Sequence, residues 1–350
     1  MSSYIEIDNR KIGNGFPVYC IAELSGNHNQ DYKQAEKLIH AAKEAGADAV
    51  KLQTYTADTL TIQSDREYFR VGGGTLWDGK TLHDLYTEAY TPWEWQPDLM
   101  ALANDLGMAL FSTPFDASAV DFLEKMRVPA YKIASFELID LELIKLVART
   151  GKPLILSTGM ATLAEINDAV STARENGAKQ IALLKCNSAY PAPVAEMNLV
   201  TIPHLAAGFD VVVGLSDHTL SPAVAVASVA LGACIIEKHL TLSRSQPGPD
   251  SAFSLEPHEF KAMTQAVAEV HQALGVISYK PTSSEEKSRA FRRSLFVVKD
   301  MKKGEEFSPV NVRSIRPANG LPPKFLPVVL GRKAACDILK GTPLDWQLIG

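Results

Sequence analysis

The chain lacks any run of about 18 apolar residues, so it offers no candidate membrane-spanning helix. Its N-terminal stretch, MSSYIEIDNRKIGNG, has none of the apolar centre of a secretory signal. Cysteine is scarce. The four are Cys20, Cys186, Cys234 and Cys336, and no two form a CxxC pair. That argues against a disulfide framework, points to buried free thiols and fits a reducing cytoplasm. An excess of one charge is also missing. Lys and Arg number 35 against 40 Asp and Glu, for a net charge of −5 and a pI near 5.9. No basic stripe offers itself to nucleic acid, although local lysines and backbone N–H groups can still bind an anion.

What is present is ordinary globular composition, 46% hydrophobic and 21% charged over 350 residues. That length suits a large domain and a small one, since a (β/α)8 barrel takes about 250 residues. Between residues 18 and 239 a unit recurs: an amphipathic helix, a Gly, a short apolar run and a closing polar residue. Eight apolar runs fit it: VYCIAE (18–23), AVKLQ (49–53), MALFST (108–113), AYKIAS (130–135), PLILST (153–158), IALLKCN (181–187), VVVGLSD (211–217) and CIIEKH (234–239). Short β-rich runs alternating with helical patterns predict parallel strands joined by helices, hence an α/β fold of the (β/α)8 TIM-barrel type. An open doubly wound sheet is the alternative, but no Gly-rich phosphate fingerprint follows the first run.

The helices carry their own signals. DYKQAEKLIHAAKEAG ends at Gly46, Thr162 and Glu165 have capping-box spacing, and Pro222 opens a helix that stops before Gly232. Residues 54–97, which include VGGGTLWDGKTLHDLY and YTPWEW, are a long insertion that can act as a lid over the barrel's C-terminal face. An N-terminal cap and the barrel are expected over 1–275, with a polar linker over 276–289. A small β-rich domain is expected over 290–350. In it DMKKGEEF from Asp300 is echoed by DILKGTPL from Asp337, which predicts internal pseudo-symmetry about Gly turns.

In such a barrel the C-terminal strand ends face the active site. Polar residues gather there: Glu23, Asn27 and His28; Lys51 and Gln53; Ser112 and Thr113; Lys132, Ser135 and Glu137; Ser157 and Thr158; Lys185, Asn187 and Tyr190; Ser216, Asp217 and His218; Glu237 and His239. A lone terminal Ser is usually a helix cap and a lone His usually structural, but a full ring of such groups is costly to bury without a purpose. Lys51 and Lys132 can neutralise a dianion, and the hydroxyl and amide groups can donate to phosphate and carboxylate oxygens. His218 and His239, from successive strands, can converge on one divalent metal with Glu23 nearby. Imidazole, carboxylate and water suit Mn2+, with Mg2+ or Co2+ as alternatives. A Schiff-base aldolase using Lys132 or Lys185 is a competing enzyme reading. A non-catalytic carbohydrate- or ice-binding protein is a reading of another class.

In order, IAELSGNHN, ADAVKLQTY, FSTPF, AYKIASFE, ILSTGM, LLKCNSAYP, VGLSDHT and IEKHLT resemble the sialic acid synthase family. RSLFVVKDMKKGE, SIRPANGLPPK and LGRKAACDILKG resemble that family's antifreeze-like (SAF) domain. AELSGNHN departs from the AEIGxNHNG pattern of the N-acetylneuraminate and legionaminate branches. GGGTLWDGKTLHDLYTEAYTPWEW and DSAFSLEPHEFKAM look like the pseudaminic branch instead. The resemblance implies condensation of phosphoenolpyruvate with an open-chain amino-sugar aldehyde, here 2,4-diacetamido-2,4,6-trideoxy-L-altrose. It implies that Lys51, Thr113, Lys132, Ser135, Ser157, Asn187 and Ser216 bind phosphoenolpyruvate, and that Gln53, Glu137, Tyr190, Asp250 and Arg316 meet the sugar. Catalysis would fall to Glu23 with the metal ligands His218 and His239. It also implies a domain-swapped homodimer.

Overall fold

The structure, a computed structural model, describes residues 4–350. The chain divides into two units, Met1–Gly275 and Val276–Gly350.

The first unit opens with an antiparallel hairpin, β1 (Tyr4–Ile7) and β2 (Arg10–Gly13). Its turn residues Asp8 and Asn9 adopt φ of 47° and 62°, a conformation that Asp and Asn tolerate better than most side chains. Eight parallel strands follow: β3 (Tyr19–Glu23), β4 (Ala49–Thr54), β5 (Ala109–Pro114), β6 (Tyr131–Ile133), β7 (Leu154–Ser157), β8 (Ile181–Cys186), β9 (Val212–Asp217) and β10 (Ile235–His239). β10 pairs with β3 and closes the barrel. Every predicted apolar run becomes one of these strands, with ends shifted by two residues at most.

The helices form for the expected reasons. Asp31 caps the helix Tyr32–Glu44 by accepting from Lys33 N, and Gly46 follows it at φ 83°. Thr162 and Glu165 make a reciprocal capping box on Leu163–Glu175, and Pro222 sits in the first turn of Pro222–Ala230. The insertion after β4 carries short helical pieces separated by loops, of which Leu82–Ala89 is the longest.

The hairpin has no place in the repeating unit. It buries Ile5, Ile7 and Ile12 in the barrel's own core. Glu6 N donates to Gln180, just before β8, and Arg10 pairs with Asp48, just before β4. It therefore covers the N-terminal end of the barrel.

Side chains alternate across a strand, and this corrects one expectation. Not every polar residue at a strand end faces the cavity. Ser112 bonds Thr54 at 2.6 Å, and Thr54 donates to Gln96 at 2.8 Å, behind the strands. Asp217, one residue beyond Ser216, pairs at 2.6 Å with Lys238, one residue beyond Glu237; neither side chain is exposed. Thr219 O is a second acceptor for that ammonium.

In the second unit, residues 276–282 are exposed without regular structure, and short helical turns form at Ser283–Glu286 and Lys287–Phe291. β11 (Ser294–Val297) pairs antiparallel with β12 (Val312–Ile315). The two echoed stretches meet as symmetry mates. Met301 and Ile338 exchange backbone hydrogen bonds at 2.8 and 2.9 Å. Asp337 accepts from Lys303 N at 2.8 Å, and Asp300 accepts from Lys340 N at 2.7 Å. Gly304 and Gly341 turn the chain at φ 84° and 88°, where a Cβ would be strained.

Replacing Lys238 by Met should strand a carboxylate in the barrel wall. Loss of one partner from a buried pair costs about 3–5 kcal/mol. The urea midpoint of the first unit should drop accordingly; a change worth under about 0.5 kcal/mol would show the pair to be dispensable.

Candidate active site

The strand register brings Glu23 beside both Lys51 and His239, and Glu237 beside Ser216. These side chains meet in a buried cluster at the C-terminal end of the barrel. Glu23 and Lys51 form a close ion pair. Lys51 Nζ is 3.2 Å from Thr113 Oγ1 and 3.9 Å from Glu237 Oε1. Lys132 Nζ lies 3.7 Å from the same Glu237 oxygen and donates to Ser157 Oγ at 2.7 Å. Ser216 donates to Glu237 Oε1 at 3.2 Å, whereas Glu237 Oε2 is buried with no hydrogen-bond partner in the protein.

Burial acts against every charge here, and the neighbours decide which survive. It raises the Glu23 carboxyl even with an ammonium against it. On Lys51, burial is outweighed by the carboxylates of Glu23 and Glu237, which hold its pKa above the usual lysine range. Burial wins on Lys132 and holds it low. Glu237 is held low by Lys132 and Lys51 against burial. Glu137, at the edge of the cluster, is pushed up to about 7 by burial, and its Oε2 also lacks a partner.

Beside this cluster stand the two imidazoles, with ring centroids 5.3 Å apart. His218 Nδ1 donates to the Asn187 carbonyl at 2.7 Å, which makes Nε2 the nitrogen left to meet a cation. His239 Nδ1 lies 3.2 Å from Ser25 Oγ. Burial, followed by the charge of His218, keeps His239 neutral. These features fit a two-imidazole metal site. Among the described residues no group of three or more His, Cys, Asp or Glu side chains is arranged to hold an ion, so other ligands would be water or substrate oxygens. Without a cation, Cys186 (Sγ to His218 Nδ1 3.9 Å) and the Asn187 carbonyl favour protonated His218 against burial; a bound cation would displace that proton. An aromatic wall completes the site: Tyr190 stands over His218 at 4.4 Å and Phe253 over His239 at 4.9 Å.

Residues 38–279 match the model of the NeuB family, and residues 292–349 match the SAF domain. The chain belongs to the NeuB family. It is 46% identical to the pseudaminic acid synthase of Helicobacter pylori over 94% of this chain and 97% of the relative. It is 36% identical to the N,N'-diacetyllegionaminic acid synthase of Legionella pneumophila, over 97% of this chain and 99% of the relative. The crystal structure of the N-acetylneuraminic acid synthetase of Leptospira borgpetersenii in complex with citrate superposes with a TM-score of 0.73 at 32% identity, covering 82% of this chain and 95% of that one.

For this NeuB-family chain, the barrel gathers most of the residues singled out on sequence. Glu23, Lys51, Thr113, Lys132, Ser157, Ser216, His218 and His239 form the core just described. Ser135 Oγ accepts from Gly159 N at 3.1 Å, where any Cβ on Gly159 would collide with Ser135 and Ser188. Gln53 follows Lys51 on the same face and is half-buried, and Tyr190 lies in the aromatic wall. Asp250 accepts from Gly26 N at 3.3 Å, and burial raises its carboxyl. Asn187 sits in the loop after β8. Its side-chain oxygen accepts from Ala189 N at 2.9 Å within its own loop, and its backbone carbonyl serves His218. Arg316 is exposed in the second unit, just past β12. Asn27 and His28 are scaffold. Asn27 donates to Leu240 O and Ser254 Oγ; His28 accepts from Gln30 N and stands 3.1 Å from Thr91 Oγ1. Phe253 and Ser25 were not singled out, since an apolar ring and a loop serine carry no signal of their own. Glu237 did carry one, sharing a strand face with His239.

His28 yields a pH test. Burial lowers its pKa from 6.5 to about 4. The unfolded chain therefore binds the proton first, and stability present above pH 6.5 is lost as pH falls toward 4, by up to roughly 3 kcal/mol. A His28→Gln variant should show a flatter stability profile over that window; profiles parallel to the parent would exclude His28 as the source.

Proposed function

We infer that the chain condenses phosphoenolpyruvate with 2,4-diacetamido-2,4,6-trideoxy-L-altrose and water, giving pseudaminic acid and phosphate. The observation that carries this reading is the pairing of a buried two-lysine, hydroxyl-lined anion site with two imidazoles 5.3 Å apart on one barrel rim. The relatives named for pseudaminic acid supply the choice of sugar.

Lys51, Thr113, Lys132, Ser135, Ser157, Asn187 and Ser216 bind the phosphate and carboxylate of phosphoenolpyruvate. They hold C3 of the enol against the aldehyde carbon. Mn2+ or a similar divalent ion held by His218 and His239 would supply Lewis-acid polarisation of the aldehyde oxygen. As the C3–C1 bond forms, positive charge develops at C2 of the enol. Glu23 stabilises that charge and takes the proton of the water that attacks there. The tetrahedral phosphohemiketal then expels phosphate by C–O cleavage. Gln53, Glu137, Tyr190 and Asp250 orient the sugar, and the unpartnered Glu137 oxygen is an acceptor for its N–H or O–H groups. A domain-swapped homodimer, in which Arg316 of one chain reaches the sugar bound by its mate, and a cytoplasmic location belong to the same reading.

A phosphate-release assay that offers the altrose derivative, N-acetylmannosamine and the legionaminate precursor side by side tests the sugar choice. Turnover of the altrose derivative alone is expected; turnover of N-acetylmannosamine alone would overturn it.

A second experiment addresses the lysines. Burial holds Lys132 below the usual lysine range, a direction a Schiff-base amine would share, which favours the aldolase reading. His218→Ala should abolish phosphate release, and EDTA should do so reversibly on Mn2+ addition. Undiminished activity in EDTA, with borohydride trapping of pyruvate, would support the lysine route instead.

A further inference from the structure

We propose that Trp77 is a specificity-determining residue, the apolar end wall of the sugar site that selects a 6-deoxy chain end over a hydroxymethyl. The proposal rests on the condensation reading above and deepens it.

The loop around Trp77 is built to present one side chain. Its base is tied by Val71 N to Lys80 O and by Gly79 N to Val71 O, at 2.9 and 3.0 Å. Asp78 folds its inside, accepting from Gly74 N, Thr75 N and Thr75 Oγ1 at 2.7–2.9 Å. Every residue from 72 to 80 is exposed except Trp77. Its indole N–H is already engaged, donating to Pro249 O at 2.8 Å, so the ring turns its hydrocarbon faces elsewhere.

One of those directions leads into the site. Trp77 lies edge-on to Tyr190 at 5.9 Å and to Phe253 at 6.4 Å. Those two rings stand over His218 and His239. Five rings thus run from the imidazoles out to the loop. In the other direction Trp77 lines an outer cavity of about 640 Å³ with Asn29, Gln30, Lys80, Glu88 and Pro249; none of Lys51, Lys132, His218 and His239 lines it. Trp77 is therefore the partition between the inner site and solvent.

An open-chain sugar whose aldehyde oxygen lies at the imidazoles cannot extend toward the lysine cluster, which phosphoenolpyruvate occupies. Its far end runs outward along the rings. A methyl at C6 meets hydrocarbon there. A hydroxymethyl there would be desolvated against the ring faces, and the indole N–H, already donating to Pro249 O, offers it no hydrogen bond.

The test measures kcat/KM for the 6-deoxy altrose derivative and for the same sugar bearing a 6-hydroxyl, on the full chain and on Trp77→Ala and Trp77→Gln. The preference for the deoxy sugar should fall by about tenfold or more in Trp77→Ala. It should fall further in Trp77→Gln, which brings hydrogen-bonding groups to the wall, while KM for phosphoenolpyruvate stays unchanged in both and reports an intact barrel. A wild-type preference in both variants, or an equal loss with both sugars, would overturn the proposal while leaving the condensation reading standing. Failure of the unaltered chain to use the deoxy sugar would remove the reading itself.

Discussion

Two ammonium groups and two carboxylates share a cavity nearly closed to water, and none of the four would remain charged there alone. Glu237 faces both Lys51 and Lys132, while Glu23 closes on Lys51. In so dry a setting each charge depends on its neighbours, so removing any one shifts the others. The cluster is nonetheless incomplete. Glu237 and Glu137 each keep a buried oxygen without a partner, and such atoms are costly unless a ligand or water meets them. The barrel thus holds a prepared charge pattern rather than a self-satisfied one, the condition that electrostatic preorganisation requires.

That pattern follows from a single geometric rule. Along β4, β9 and β10 every second residue looks inward, so Lys51, Ser216, Glu237 and His239 converge while Asp217 and Lys238 pair behind the wall. Specific recognition and structural support therefore come from interleaved positions of the same strands. A shift of one residue in register would exchange the two sets.

The fold was readily legible, because strand–helix alternation over eight units leaves few topologies and the helix-end signals at Gly46, Thr162 and Pro222 are local. The site was legible as residue types at strand ends, and less so as directions. Ser112 and Asp217 looked equivalent to Thr113 and Ser216 until alternation separated them. Asn187 read as a donor, but nothing in the sequence signalled that its side-chain oxygen would tie its own loop and its carbonyl hold His218. His28 and Asn27 had the polarity of site residues and turned out to brace the loop after β3. What sequence could not supply was tertiary: which ring stands over which imidazole, and that the 71–80 loop aims one indole inward. An N-terminal cap was expected, but not its hairpin form, since four-residue strands leave almost no periodic signal.

That hairpin has a consequence for traffic. With Ile5, Ile7 and Ile12 plugged into the floor and packed side chains above them, the vessel has no through-flow. Whatever enters must leave by the doorway it came in through, and a joined product is bulkier than either piece it was made from. Emptying and refilling therefore compete for one passage, and each round of chemistry must clear it before the next can begin.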